Sequence, residues 1–306
     1  MTKAQMYEKS ISCPLYAGME PSERKRSQWC SAEAGSDGLQ LLESEFNHQV
    51  SENYQEQMMA GKLDAKVAII TGASSGIGAA TAIALAEEGA HVAIAARRIE
   101  LLNEVAQKIE AVGGKALPIV TDVSDETQVN DLVQKVNTTL GRIDILVNNA
   151  GIAALGTIED GNPAEWRRQF DLNVLGLLYA THAVLPIFKT QGVGHVVNLS
   201  SVAGRTARAG MGVYNATKWG VNAISEALRQ EVHKHNIRVT IIEPGLVATE
   251  FIDNITDPAA KQALEARFKA ITPLQPEDIA RAIAYAVTQP PHVNVNEILI
   301  RPTQQE

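Results

Sequence analysis

The sequence predicts an α/β fold, a single doubly wound parallel seven-stranded sheet with helices on both faces. Two observations carry that reading. From residue 62 onward, short β-branched runs alternate with longer stretches of helical periodicity, the pattern of βαβ units. The chain has 306 residues, 45% apolar and 20% charged, enough to bury a large core without disulfides or metals.

The elements follow in order. VAII at 67–70 is the first apolar run, and a helix is expected from Ile77 to Glu88 with Gly89 as its C-terminal cap. HVAIAA at 91–96 reads as the second strand. Leu101, Leu102, Val105, Ala106 and Ile109 then share one helical face, closed by Gly113 and Gly114. ALPIV at 116–120 is a third strand, followed by a helix from Asp125 to Leu140 with Ser124 as N-cap and by a strand IDILV at 143–147. Helical text at Asn173–Phe188 and Val213–Lys234 flanks the strand HVVNL at 195–199. RVTII at 238–242 and NEILI at 296–300 complete seven strands with about six helices.

Residues 1–61 are set apart as an N-terminal extension, expected to be disordered, and 62–306 as the catalytic domain. The first segment is polar, has no sustained period, and contains both cysteines, Cys13 and Cys30, which are either reduced or paired with each other. Met58 or Met59 would make an ordinary start for the domain, so the extension is read as dispensable or as lying upstream of the true start codon. The N-terminus lacks the apolar core of a secretory signal, which points to a cytoplasmic protein. The longest central uncharged stretch, Leu172–Phe188, is shorter than the ~20 residues a membrane span needs. The net charge of -8 argues against nucleic acid as a partner. No metal site is read from the sequence.

Directly after the first strand stand Gly72, Ser74, Ser75, Gly76, Ile77 and Gly78, with helical text at once behind them. Glycines let a backbone turn tightly and let a pyrophosphate approach it, and the helix N-terminus then offers unpaired N–H groups. A strand, a glycine cluster and a helix in register point to a dinucleotide and a Rossmann-like sheet, although the spacing GxxxGxG departs from the common GxGxxG. The second strand ends in Ala95-Ala96-Arg97-Arg98, without the acid that would hold a ribose 2′-hydroxyl. Arg97, helped by Ser74 and Arg98, suits a 2′-phosphate, so NADP is expected over NAD; two solvated loop arginines are the plainer alternative.

Farther along come Asn148-Asn149-Ala150-Gly151, Asn173, Ser200-Ser201-Val202-Ala203-Gly204 and Tyr214-Asn215-Ala216-Thr217-Lys218. Tyr214 and Lys218 are four apart and share a helix face. An ammonium beside a phenol is expected to lower its pKa from about 10, which makes Tyr214 a general acid for carbonyl reduction or a base for alcohol oxidation. These motifs, in this order, resemble the short-chain dehydrogenase/reductase family over Lys62–Glu306. The resemblance implies that Lys218 also holds the nicotinamide ribose, that Ser201 rather than Ser200 bonds the substrate oxygen, and that Asn173 supports a water relay. It also implies that Asp122 and Val123 flank the adenine, that Asn149, Ala150 and Gly151 line the ribose, and that Pro244, Gly245, Val247 and Thr249 reach the nicotinamide. Asp122 has an alternative role in capping the next helix.

The implied activity is hydride exchange between NADP(H) and a small aldehyde, ketone, secondary alcohol or hydroxy acid. AARR at 95–98, SSVAGR at 200–205 and IEPG at 242–245 are similar to NADPH-dependent aldehyde reductases and 3-hydroxy acid dehydrogenases of that family. Residues 249–273 correspond to a variable substrate lid. Arg205 or Arg208 is a candidate for a substrate carboxylate, or else a solvated arginine. Helices Asn173–Phe188 and Val213–Lys234 match those that pair subunits, so a homodimer or homotetramer is expected. The competing class, a nucleotide-sensing protein without turnover, has no need of a general acid beside a lysine.

Overall fold

The computed structural model describes residues 61–306. All of the expected extension but Gly61, with Cys13, Cys30, Met58 and Met59, lies outside the described residues.

Seven strands form one sheet: β1 (Val67–Thr71), β2 (His91–Ala96), β3 (Lys115–Val120), β4 (Ile145–Asn148), β5 (Gly194–Leu199), β6 (Ile237–Pro244) and β7 (Glu297–Ile300). Their order is β3-β2-β1-β4-β5-β6-β7, and every neighbouring pair is parallel. A parallel sheet is covered on both faces, so central strands read as unbroken apolar runs rather than alternating ones. β1 and β5 accordingly have every residue buried.

The helices are α1 (Gly76–Glu87), α2 (Ile99–Ala111), α3 (Glu126–Leu140), α4 (Pro163–Phe170), α5 (Gly176–Gln191), α6 (Gly212–Val232), α7 (Pro258–Ala270) and α8 (Pro276–Val287). One core layer packs α1, α2 and α8 against the sheet around Leu85, Leu102, Ile109 and Ile279. The opposite layer packs α3, α5 and α6 around Leu132, Val184, Phe188 and Leu228. Chain order reverses between β1 and β4, where helices leave toward opposite faces and open a crevice at the carboxyl ends of the strands.

Several boundaries differ from expectation for local reasons. Asp125, not Ser124, caps α3, because its carboxylate accepts from Thr127 N (2.9 Å) and Gln128 N (3.2 Å). β4 starts at Ile145 because Asp144 is turned to Val67 N, Arg142 and Lys66. The helix around Asn173 begins earlier, at Pro163, and passes through a π-helical turn, Asp171–Leu175, before α5. π turns inside α-helices are rare and concentrate at functional sites. The run Pro163–Gln191 is long and apolar enough to meet the length and composition of a membrane span. Here Leu172, Ala180, Val184 and Phe188 build the sheet-facing core instead.

Gly78 sets how closely α1 approaches the sheet. A Cβ there would fall 2.4 Å from Gly72 O and 2.5 Å from Asn149 Nδ2. Gly78→Ala should therefore lower unfolding free energy by about 1–3 kcal/mol in urea titrations; an unchanged midpoint and slope would show that the helix can retreat without loss.

Candidate active site

One cleft of about 780 Å³ runs along the carboxyl ends of the strands. Its floor is a knot between the ends of β1 and β4. Asn149 Nδ2 donates to Thr71 O (2.9 Å) and Gly72 O (3.1 Å), and Thr71 Oγ1 accepts from Asn149 N (3.1 Å) and Ala150 N (3.2 Å). Gly72 has φ +65°, and a side chain there would meet the Ala150 backbone at 2.8 Å. Ser75 precedes α1 without a side-chain cap bond, so the positive end of that helix faces the cleft. A bare backbone cradle opposite a helix N-terminus fits a dinucleotide pyrophosphate. Gly72, Ser74, Ser75, Gly76 and Ile77 line it, whereas Gly78 lies behind them as a packing residue.

At one end stand the exposed Arg97 and Arg98. Arg98 donates to Ser74 Oγ and Ser75 Oγ (3.3 Å each) and pairs with Glu250 at 3.2 Å. Arg97 has no side-chain partner among the described residues, which leaves it free for a phosphate. Asp122 and Val123 line the same end. Asp122 also performs the turn-fixing role, its Oδ1 accepting from Ser124 N (3.0 Å) and Ser124 Oγ (2.7 Å).

Farther along, α6 brings Tyr214 and Lys218 onto one face, both buried yet lining the cleft. Lys218 Nζ lies 5.9 Å from the Tyr214 ring centre and donates to Leu199 O at 2.8 Å. Burial pushes the phenol up to about 12, opposed by a hydrogen bond with Ser201. Burial brings the lysine down to about 8. Desolvation outweighs any lowering of the phenol by the ammonium, which is aimed at Leu199 O.

The two serines divide their tasks. Ser200 is buried and donates to Lys218 O (3.3 Å), a packing bond between β5 and α6. Ser201 faces Tyr214 while its Oγ accepts from Ala203 N (3.1 Å). Asn173 does not line the cleft. Its amide clamps Ile152, accepting from N and donating to O at 2.8 Å each, and donates to Thr217 Oγ1 at 3.2 Å. Any relay past it must use something other than that amide, which fixes Ile152 beside Gly151.

Ala150, Pro244, Gly245, Val247 and Thr249 reach the cleft as expected. Arg205 does not. It is bound to Glu243 (2.6 Å), a fully buried carboxylate, and to Glu297, which removes it as a substrate contact. Arg208 does line the cleft. The lid is ordered as α7, which adds Leu264, Arg267 and Phe268 to the wall, and Phe251 stacks at a tilt 5.7 Å from Tyr214. Sequence reasoning did not assign Arg267 or the C-terminal Gln305, whose side chain accepts from Leu246 N at 2.8 Å and closes the Pro244–Leu246 loop. The helical spacing Leu264, Arg267, Phe268 was the available signal for the former; no periodicity marks the latter.

A family model for short chain dehydrogenases matches residues 66–260. The chain belongs to the short-chain dehydrogenase/reductase family. An uncharacterized oxidoreductase of Staphylococcus saprophyticus is 44% identical over 243 residues, 78% of this chain and 97% of that protein. A metagenomic short-chain oxidoreductase solved with NADP is 32% identical, with a TM-score of 0.68 over 80% of this chain and 100% of that one. The closed form of a serine dehydrogenase with NADP+ is 33% identical, with a TM-score of 0.73 over 78% of this chain and 96% of that one.

A base whose folded-state pKa lies below its unfolded value holds fewer protons when folded, so its contribution to stability rises with pH between the two. For Lys218 that window runs from about 8 to the unperturbed 10.5. In urea titrations, the stability of wild type relative to Lys218→Met should climb with pH across it, by up to about 1.4 kcal/mol per unit. A difference flat in pH would mean that Lys218 is not desolvated.

Proposed function

We propose that this oxidoreductase uses NADP(H) to interconvert a small aldehyde or ketone with the matching alcohol. The observation that carries the reading is one cleft with Arg97, which has no side-chain partner among the described residues, at one end and Tyr214, Ser201 and Lys218 converging at the other. When bound, the nicotinamide supplies the hydride in reduction and receives it in oxidation.

This chain's residues do the rest. Tyr214, held protonated by burial at neutral pH, donates its proton to the carbonyl oxygen as charge develops there. Ser201 donates a hydrogen bond to that same oxygen and positions it. Lys218, mostly protonated at pH 7, faces the Gly151 backbone and suits the ribose hydroxyls. Its positive charge favours the phenolate left behind once the proton has gone. Phe251 and α7 exclude water from the reacting centre.

The arginines support NADP over NAD, as do solved relatives that contain NADP. Exposed Phe170, Leu175 and Trp219 lie where α4, the π turn and α6 meet, and Tyr285 and Leu299 form apolar surface on α8 and β7. Both support a homodimer or homotetramer.

Tyr214→Phe should still bind NADPH, by fluorescence titration, and lose about 10²–10⁴ in kcat; turnover near wild type would end the assignment. Arg97→Ala should lower the kcat/KM ratio of NADPH to NADH by about tenfold or more, the worth of one charge-assisted contact. An unchanged ratio would mean that the phosphate is read elsewhere.

A further inference from the structure

In the substrate half of the cleft an apolar wall stands beside polar side chains, among them two guanidinium groups. Met211, Tyr214, Phe251, Leu264 and Phe268 form its walls. Arg208 enters from the loop before α6 and Arg267 from the inner face of α7, one turn after Leu264. The two come from different elements lining the same cleft and are close enough for the charge of one to act on the other.

Neither guanidinium has a hydrogen bond or ion pair among the described residues. Arg98, Arg142, Arg168, Arg205, Arg229 and Arg281 are each paired with a carboxylate. Two of the acids along the cleft are already engaged, Glu250 with Arg98 at 3.2 Å and Asp253 with Lys261 at 3.9 Å. The backbone around Arg208 is nonetheless fixed: its N–H donates to Asn215 Oδ1 (3.3 Å), its carbonyl accepts from Met211 N (3.1 Å), and Gly210 O accepts from Gly156 N (2.8 Å). A held backbone carrying an uncompensated charge is a preorganised contact.

Like charges brought together against an apolar wall are unfavourable unless an anion lies between them. Burial and the repulsion from Arg208 both lower the pKa of Arg267, so the protein alone leaves that unfavourable interaction standing. We propose that Arg208 and Arg267 bind a substrate carboxylate between the loop and the lid helix, so that the preferred substrates are oxo acids and their hydroxy acids. The inference rests on the carbonyl–alcohol reading given above and narrows its substrate class. A planar carboxylate accepts paired N–H donors from guanidinium groups on either side, and binding would draw α7 toward Tyr214 as the counter-charge is satisfied.

The test compares 3-oxobutanoate and 4-oxobutanoate with their methyl esters as substrates for NADPH oxidation by the full chain. The acid should exceed its ester in kcat/KM by about tenfold or more for at least one length. The acid-to-ester ratio should fall by about ten- to hundredfold in Arg208→Met/Arg267→Met, mostly through KM for the acid, and should recover in part in Arg208→Lys/Arg267→Lys. Esters reduced as well as acids at both lengths, or a ratio that survives in the double Met variant, would overturn the inference while leaving the oxidoreductase reading intact. If none of the four is reduced, calorimetric titration with succinate and glutarate decides separately. Saturable binding lost in the double Met variant sustains the anion site and places the failure in the carbonyl reading. No binding by the wild type overturns the site.

Discussion

The close approach of the ends of β1 and β4 is the constraint on which the rest depends. Thr71 Oγ1 receives two backbone N–H groups from the β4 loop, and Asn149 returns its amide to the carbonyls of Thr71 and Gly72. Gly78 lets α1 start hard against that knot. These contacts fix the place where strand order reverses, and hence the place and depth of the crevice. The glycine cradle, the α1 N-terminus and the Asn149–Gly151 loop are three faces of the same junction.

Farther along, charge is placed in two ways. At the end marked by Arg97 and Arg98, cations stand in solvent, where water moderates their repulsion. Near the reacting centre, Tyr214 and Lys218 are buried, so the phenol is raised to about 12 and the ammonium lowered to about 8. The same desolvation that makes each charged form unfavourable makes their mutual attraction strong once the phenol loses its proton. A site built this way keeps the proton on Tyr214 at neutral pH, as the proposed general acid requires. Asn173, through Ile152, and Gln305, through Leu246, hold the flanking loops.

What was legible in the sequence is what local pattern encodes. VAII at 67–70 and HVVNL at 195–199 are unbroken apolar runs because both their faces are covered, and TGASSGIG and YNATK sit at fixed distances from strand and helix ends. What was not legible depends on partners distant in the chain. Arg205 looked like a substrate contact because Glu243 and Glu297, its partners, are 38 and 92 residues away. The clamp of Asn173 on Ile152 was not legible because the two lie 21 residues apart. The reversed shift of Tyr214 follows from burial by Phe251 and the lid, which four-residue spacing on a helix does not contain.

The central claim, that this crevice carries a nicotinamide to a carbonyl held beside Tyr214, is tested most directly by following the hydride itself. The full chain is supplied with NADPH deuterated at C4 of the nicotinamide and with an oxidised substrate, and the alcohol is analysed by mass spectrometry. The account predicts a single deuterium on the carbinol carbon, from one face of the nicotinamide only, and none taken from deuterated water when ordinary NADPH is used. Alcohol that gains its carbon-bound hydrogen from solvent, or NADPH that binds without transfer to any carbonyl, would contradict it.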